Sequence, residues 1–109
     1  MSFFQNSAYN TAAINTDVYV NLAATTERKV IKGIIWSMSA APASAATLSI
    51  ESPVGTVLTS VDIINGGPGF LPFDHRGLAC ANAGAVQVLL DLPASANTVG
   101  KLTVLYETD

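Results

Sequence analysis

From residue 16 onward the chain reads in twos, and turn chemistry interrupts it every five to ten residues. That period admits strands and excludes helices, because apolar residues at i and i+2 point to one side only when the backbone is extended. The most demanding passage is residues 28–39, RKVIKGIIWSMS, which holds the only Trp and three of the five basic residues. Val30, Ile34, Trp36 and Met38 fall on one side, and Ile31, Gly33, Ile35, Ser37 and Ser39 on the other. A helix there would be built from poor helix formers with Gly33 in its interior. The passage is expected to be the central strand of a sheet, heavy on the core side and graded into hydroxyls on the other.

The remaining strands follow from the same alternation. Val18, Val20 and Leu22 share a side across residues 16–22, as do Leu48 and Ile50 across 47–51. Across 56–64, Val57, Thr59, Val61 and Ile63 oppose Leu58, Ser60, Asp62 and Ile64. Val86, Val88, Leu90 and Leu92 point inward in 85–92, and Leu102, Val104 and Tyr106 in 100–107. Pro53 with Gly55 marks a hairpin turn, because proline fixes one φ and glycine permits a positive one shortly after. Residues 40–46 and 93–99 are connections, and the glycine- and proline-rich 65–69 cannot hold regular structure. Residues 70–73 read as a short edge strand, where Pro72 is tolerated. Residues 74–84 read as a loop with a few extended residues around Leu78. Six or seven strands without helical periodicity predict an all-β, single-domain antiparallel β-sandwich, jelly-roll-like, over residues 16–109. Residues 1–15 show neither period and are expected to form an N-terminal arm that lies on a neighbouring surface or folds over its own domain.

Composition narrows the function. Half of the 109 residues are apolar while only 12% are charged. An average soluble domain carries about a quarter charged residues, so part of this weakly polar surface is expected to be covered by further copies of the chain. A net charge of −3 with no basic run excludes nucleic acid, whose phosphates require a clustered positive face. Lys, Asp, Asn or Pro interrupts every apolar stretch before a membrane span is reached. The first residues lack a basic start and a sustained apolar segment, so the chain is expected to be made in a cytoplasm.

The supply of catalytic groups is thin. Cys80 is the only cysteine and His75 the only histidine, set five apart, which is a poor spacing for a dyad on one loop. No second histidine exists to build a zinc site, and Asp62, Asp74 and Asp91 lie far apart along the chain. The glycines at 66, 67 and 69 are not followed by a helix, as dinucleotide binding requires. No enzyme activity, metal or cofactor is expected. Contact is expected instead from Phe3, Phe4 and Tyr9 in the arm, from Phe70 and Phe73 at the edge, and from Asp74, His75 and Arg76 at a polar rim. Tyr106, near the terminus, is a further candidate. Trp36, flanked on its own side by Ile34 and Met38, reads as core, with sugar stacking as the alternative.

Three passages carry a resemblance: Lys32-Gly33-Ile34-Ile35-Trp36-Ser37 with the Ala/Pro connection after it, Asp62-Ile63-Ile64-Asn65-Gly66-Gly67-Pro68-Gly69, and Gly100-Lys101-Leu102-Thr103-Val104-Leu105-Tyr106. In them the chain resembles the small β-sandwich head decoration, or cement, proteins of tailed bacteriophages. The resemblance implies a virion structural protein on the capsid surface that binds and stabilises the assembled head lattice. Its partners would be the major capsid protein and its own copies, a trimer being one arrangement, and it carries no catalytic residues. The second reading, from another class, is a carbohydrate- or receptor-binding module of a phage tail-associated protein.

Overall fold

A computed structural model describes residues 6–74, 76–81 and 84–108. Nine strands are present among them: β1 (Asn6–Thr11), β2 (Val18–Leu22), β3 (Lys29–Met38), β4 (Ala46–Glu51), β5 (Val57–Ile63), β6 (Gly69–Pro72), β7 (Leu78–Ala79), β8 (Val86–Asp91) and β9 (Gly100–Thr108). They form two antiparallel sheets. One, called the front sheet below, runs β1-β9-β3-β6 with β7 also pairing β3; the other, the back sheet, runs β2-β8-β4-β5. The chain crosses between sheets at almost every connection, and only β4–β5 and β6–β7 follow each other within one sheet. This strand order is a jelly roll; the alternation predicts the antiparallel sandwich, and the order of its strands comes from the pairing.

The inner faces supply the core. Ile31, Ile34, Leu102 and Val104 from the front sheet meet Val18, Val86, Val88, Leu90, Leu48 and Ile50 from the back sheet, all essentially inaccessible to water. Each such side chain contributes about 1.5–3 kcal/mol by leaving water, which offsets the entropy of ordering the strands around it. The hairpin at Pro53 forms as read: Thr56 N–H donates to Pro53 C=O at 2.9 Å, and Gly55 takes φ 104°.

Three local features depart from the sequence reading. Residues 6–11, assigned to the arm, are β1, paired with β9 from Asn6↔Tyr106 to Thr11↔Lys101. Ile31 is 0% exposed, although strict alternation puts it opposite the core. The ladder between β3 and β9 shifts register between Ile31 and Gly33, and one extra residue in a strand inverts the side-chain order beyond it. Ile31 and Ile34 therefore both point inward. The same device acts where β4 meets β5: the shift between Ile50 and Glu51 leaves Val57 57% exposed instead of inward.

Thr98 is a polar group at full burial. Its Oγ1 donates to Ala40 C=O at 2.8 Å and accepts from Ala40 N–H at 3.1 Å, pinning the connection after β3 to the one before β9. Trp36 lies partly buried against the core with its indole across Gly69; a Cβ on that glycine would come within 2.1 Å of the ring. Among the described residues no helix is long and apolar enough to cross a membrane.

Candidate functional site

The strand registers bring one unusual set of side chains together on the outer face of the front sheet. Tyr9 pairs Thr103, Thr103 pairs Ile35, and Ile35 pairs Phe70, so the four residues form one row across β1, β9, β3 and β6. Tyr9 is 59% exposed and Phe70 55%, and Ile35 is exposed between them. Three strand spacings of about 4.8 Å set the two aromatics about 14 Å apart. The next row is Ser7, Leu105, Gly33 and Pro72, and the row on the other side is Thr11, Lys101 and Ser37. Lys101 is the one charged residue in these three rows.

Gly33 explains the posture of Phe70. A Cβ at Gly33 would lie 2.5 Å from Phe70 Cε1 and 2.9 Å from Cζ, so the ring occupies the space a side chain would fill. The phenyl group rests on bare backbone beside its own strand and turns its other surface to solvent. A glycine in mid-strand is otherwise a weakness, and an aromatic from the neighbouring strand covers it. The result is an exposed aromatic platform at one end of the row, a tyrosine with its hydroxyl at the other, and hydroxyls from Thr103, Ser7 and Ser37 around them, while Thr11 Oγ1 donates to Gly100 C=O at 2.6 Å.

The outer face of the back sheet is different in kind. Its central row is Tyr19, Leu89, Ser49 and Ser60. Its polar groups are bonded to one another: Ser49 and Ser60 hydroxyls at 3.3 Å, Thr47 Oγ1 donating to Asp62 at 3.2 Å, and Gln87 Nε2 donating to Asn21 at 3.0 Å. Asp91, in the same layer, has its carboxyl pushed above the usual range, first by burial and then by the charge of Asp17 and a hydrogen bond to it. Those polar groups are already partnered and Tyr19, 40% exposed, is the one exposed aromatic of its row, whereas the front row carries two that are more exposed, Tyr9 and Phe70.

Of the residues expected to make contacts, Tyr9 and Phe70 share the front row, and Phe3, Phe4 and His75 lie outside the described residues. Phe73 is half-buried against the core, as is Tyr106, so neither is an exposed aromatic contact. Asp74 is occupied by its own turn, its Oδ1 accepting from Arg76 N–H at 2.9 Å and Gly77 N–H at 3.1 Å, and Arg76 is exposed beside it. Thr103, Ile35, Gly33 and Leu105 were not singled out by sequence reasoning; only the mid-strand Gly33 could have pointed to them. Cys80 is buried, and burial pushes its thiol above its ordinary range, away from the thiolate a nucleophile needs. Among the described residues no three His, Cys, Asp or Glu side chains gather to hold a metal.

No protein-family model matches the chain. No curated protein matches it either. Among solved structures it is similar to the CBM36-1 domain of a multidomain xylanase from the hindgut metagenome of Trinervitermes trinervoides, with 9% identity, a TM-score of 0.48, and coverage of 93% of this chain and 95% of that one. It is also similar to the carbohydrate-binding module CBM36 in complex with calcium and xylotriose, at 13% identity and TM-score 0.41, covering 100% and 91%. A third similar structure is that of Bacillus endospore appendages, which form disulfide-linked pili, at 13% identity and TM-score 0.38, covering 96% and 90%. Likeness at this level decides nothing about ligand.

Proposed function

We propose that the chain is a binding module whose ligand is an extended saccharide lying along the Tyr9–Thr103–Ile35–Phe70 row. The observation that carries the reading is the Phe70 ring set with its Cε1–Cζ edge against the bare backbone of Gly33 and 55% exposed to solvent. A sugar ring has an apolar C–H face and a hydroxyl rim. The negative face of an aromatic ring attracts the C–H groups, and the stacked area is withdrawn from water. Tyr9 supplies a second stacking position with a hydroxyl, while Thr103 and Ser37 line the path with groups that both donate and accept, and Thr11, whose Oγ1 donates to Gly100 C=O, can still accept. A neutral ligand needs no counter-charge, which fits three rows that hold a single lysine. Flat stacking on an open surface binds weakly for each sugar, and affinity grows when several modules or several rings engage together.

The test is partition onto xylan, cellulose and chitin, with Phe70→Ala and Tyr9→Ala against Tyr19→Ala as the back-face control. The reading expects at least one polysaccharide to retain the wild-type chain, with retention lost on the two front-face substitutions and kept on the third. Equal retention of all four proteins would remove the front face from consideration.

A second reading is supported by the same face. Its apolar row and the chain's low charge fraction also suit a virion structural protein seated on the major capsid protein lattice. In that case no polysaccharide retains the chain, and the front-face substitutions release it from assembled capsids.

A further inference from the structure

A jelly roll has four sheet edges, and here two of them cover each other and a third is short. β1 and β2 meet one another along one side of the sandwich, where Asn10 Nδ2 donates to Tyr19 C=O at 2.7 Å. β6 is four residues long and ends in Pro72, which offers no N–H. The fourth edge, β5, is seven residues long and pairs only with β4. Among the described residues no backbone hydrogen bond from elsewhere reaches Val57–Ile63. Residues 56–64 contain no Lys, Arg or Pro, the residues that ordinarily blunt an exposed edge. Apolar side chains flank it instead, with Ile64 76% exposed and Val54, Val57 and Leu58 exposed at the other end.

We propose that β5 pairs antiparallel with β5 of a second copy, joining two back sheets into one continuous sheet about a two-fold axis at Val61. The register follows from the side chains. The ladder with β4 is regular from Thr59 to Ile63, and the shift at Leu58 ends it. Centred on Val61, Thr59 of each copy faces Ile63 of the other on the core side, and the two Val61 side chains meet. On the outer side Ser60 faces Asp62, twice. Asp62 is the only charge on the strand, and this register sets it against a hydroxyl that donates to it and not against its own copy. A two-fold axis requires such self-complementarity of a single patch. One strand pair is a small contact, so the dimer is weak and reversible. It would leave the front face of both copies free, and the two saccharide rows would be held on one particle.

Sedimentation of the full chain from about 10 µM to about 1 mM reads the association directly. The wild type is expected to move from monomer toward twice the monomer mass over this range. Ser60→Asp, which sets two carboxylate pairs across the axis, should weaken it about tenfold, and Ser60→Lys should tighten it about as much. Ser60 is exposed, and a thermal melt confirms that each variant folds. Val61→Cys in a Cys80→Ala background should form a disulfide-linked dimer under mild oxidation. A monomer at every concentration, or a dimer indifferent to both Ser60 substitutions and without the cross-link, overturns the proposal.

Discussion

Gly33→Ala separates the platform from the stability of the sheet. The backbone at Gly33 is not in the left-handed region, so alanine is permitted there and should add about 0.5–1 kcal/mol by removing the entropy a mid-strand glycine loses on folding. Against this stands the contact with Phe70, whose ring lies 2.5 Å from where the new methyl carbon must go. A little under half of Phe70 is covered. If half of about 200 Å² leaves water and roughly half of that rests on Gly33, lifting the ring forfeits about 1 kcal/mol at 25 cal/mol/Å². The two effects nearly cancel, so urea denaturation of Gly33→Ala should give a stability within about 1 kcal/mol of wild type. The same substitution made on Phe70→Ala has no ring to displace and should stabilise by about 0.5–1 kcal/mol. The cycle of four proteins then yields a coupling of about 1 kcal/mol. A coupling near zero would mean that the ring does not lie over Gly33, and the platform would fall with it.

Three further substitutions test other parts of the structure. Ile31→Ala should cost about 2–5 kcal/mol in denaturant unfolding while Ile35→Ala costs less than about 1, because the register shift sends the first inward and leaves the second exposed; equal costs would deny the shift. Thr98→Val keeps the shape but removes both bonds to the exposed Ala40, with an expected loss of about 0.5–1.5 kcal/mol; no loss would show that water fully replaces them. Asp91→Asn tests the carboxylate pair on the back face. Asp91 titrates above its unfolded value, so its protonated form is the one the fold favours: that stability is present at acidic pH and lost as pH rises through the folded value. Asp91→Asn should therefore melt higher than wild type at pH 7, by less than about 1 kcal/mol for a surface pair, and the difference should vanish near pH 3; an equal difference at both pH values refutes the assignment.

The sandwich was legible because burial on one side imposes a period of two, and Val18-Val20-Leu22, Val86-Val88-Leu90 and Leu102-Val104 obey it strictly. Ile31 and Val57 were misplaced for the opposite reason: a register shift of one residue reverses the period and leaves no mark in composition. β1 was hidden because its sequence NSAYNT buries almost nothing, so its pairing with β9 rests on backbone bonds that the side chains do not announce. Tyr9 and Phe70 could be named as contact residues from exposure arguments, but their meeting in one row depends on strand order, which alternation does not encode. Tyr9 and Phe70, 61 apart in sequence, share a row only because β3, which lies between them in the chain, and β9, which follows both, pair in the middle of the sheet.

The central claim is that the front face, and not the back, receives a saccharide, and chemical-shift mapping of the labelled protein tests it residue by residue. Titration with soluble oligosaccharides of xylose, glucose and N-acetylglucosamine should move the amide signals of Tyr9, Thr103, Ile35 and Phe70 for at least one sugar, while those of Tyr19, Leu89, Ser49 and Ser60 stay in place. Shifts confined to the back-face row would contradict the account and move the binding site to the other sheet.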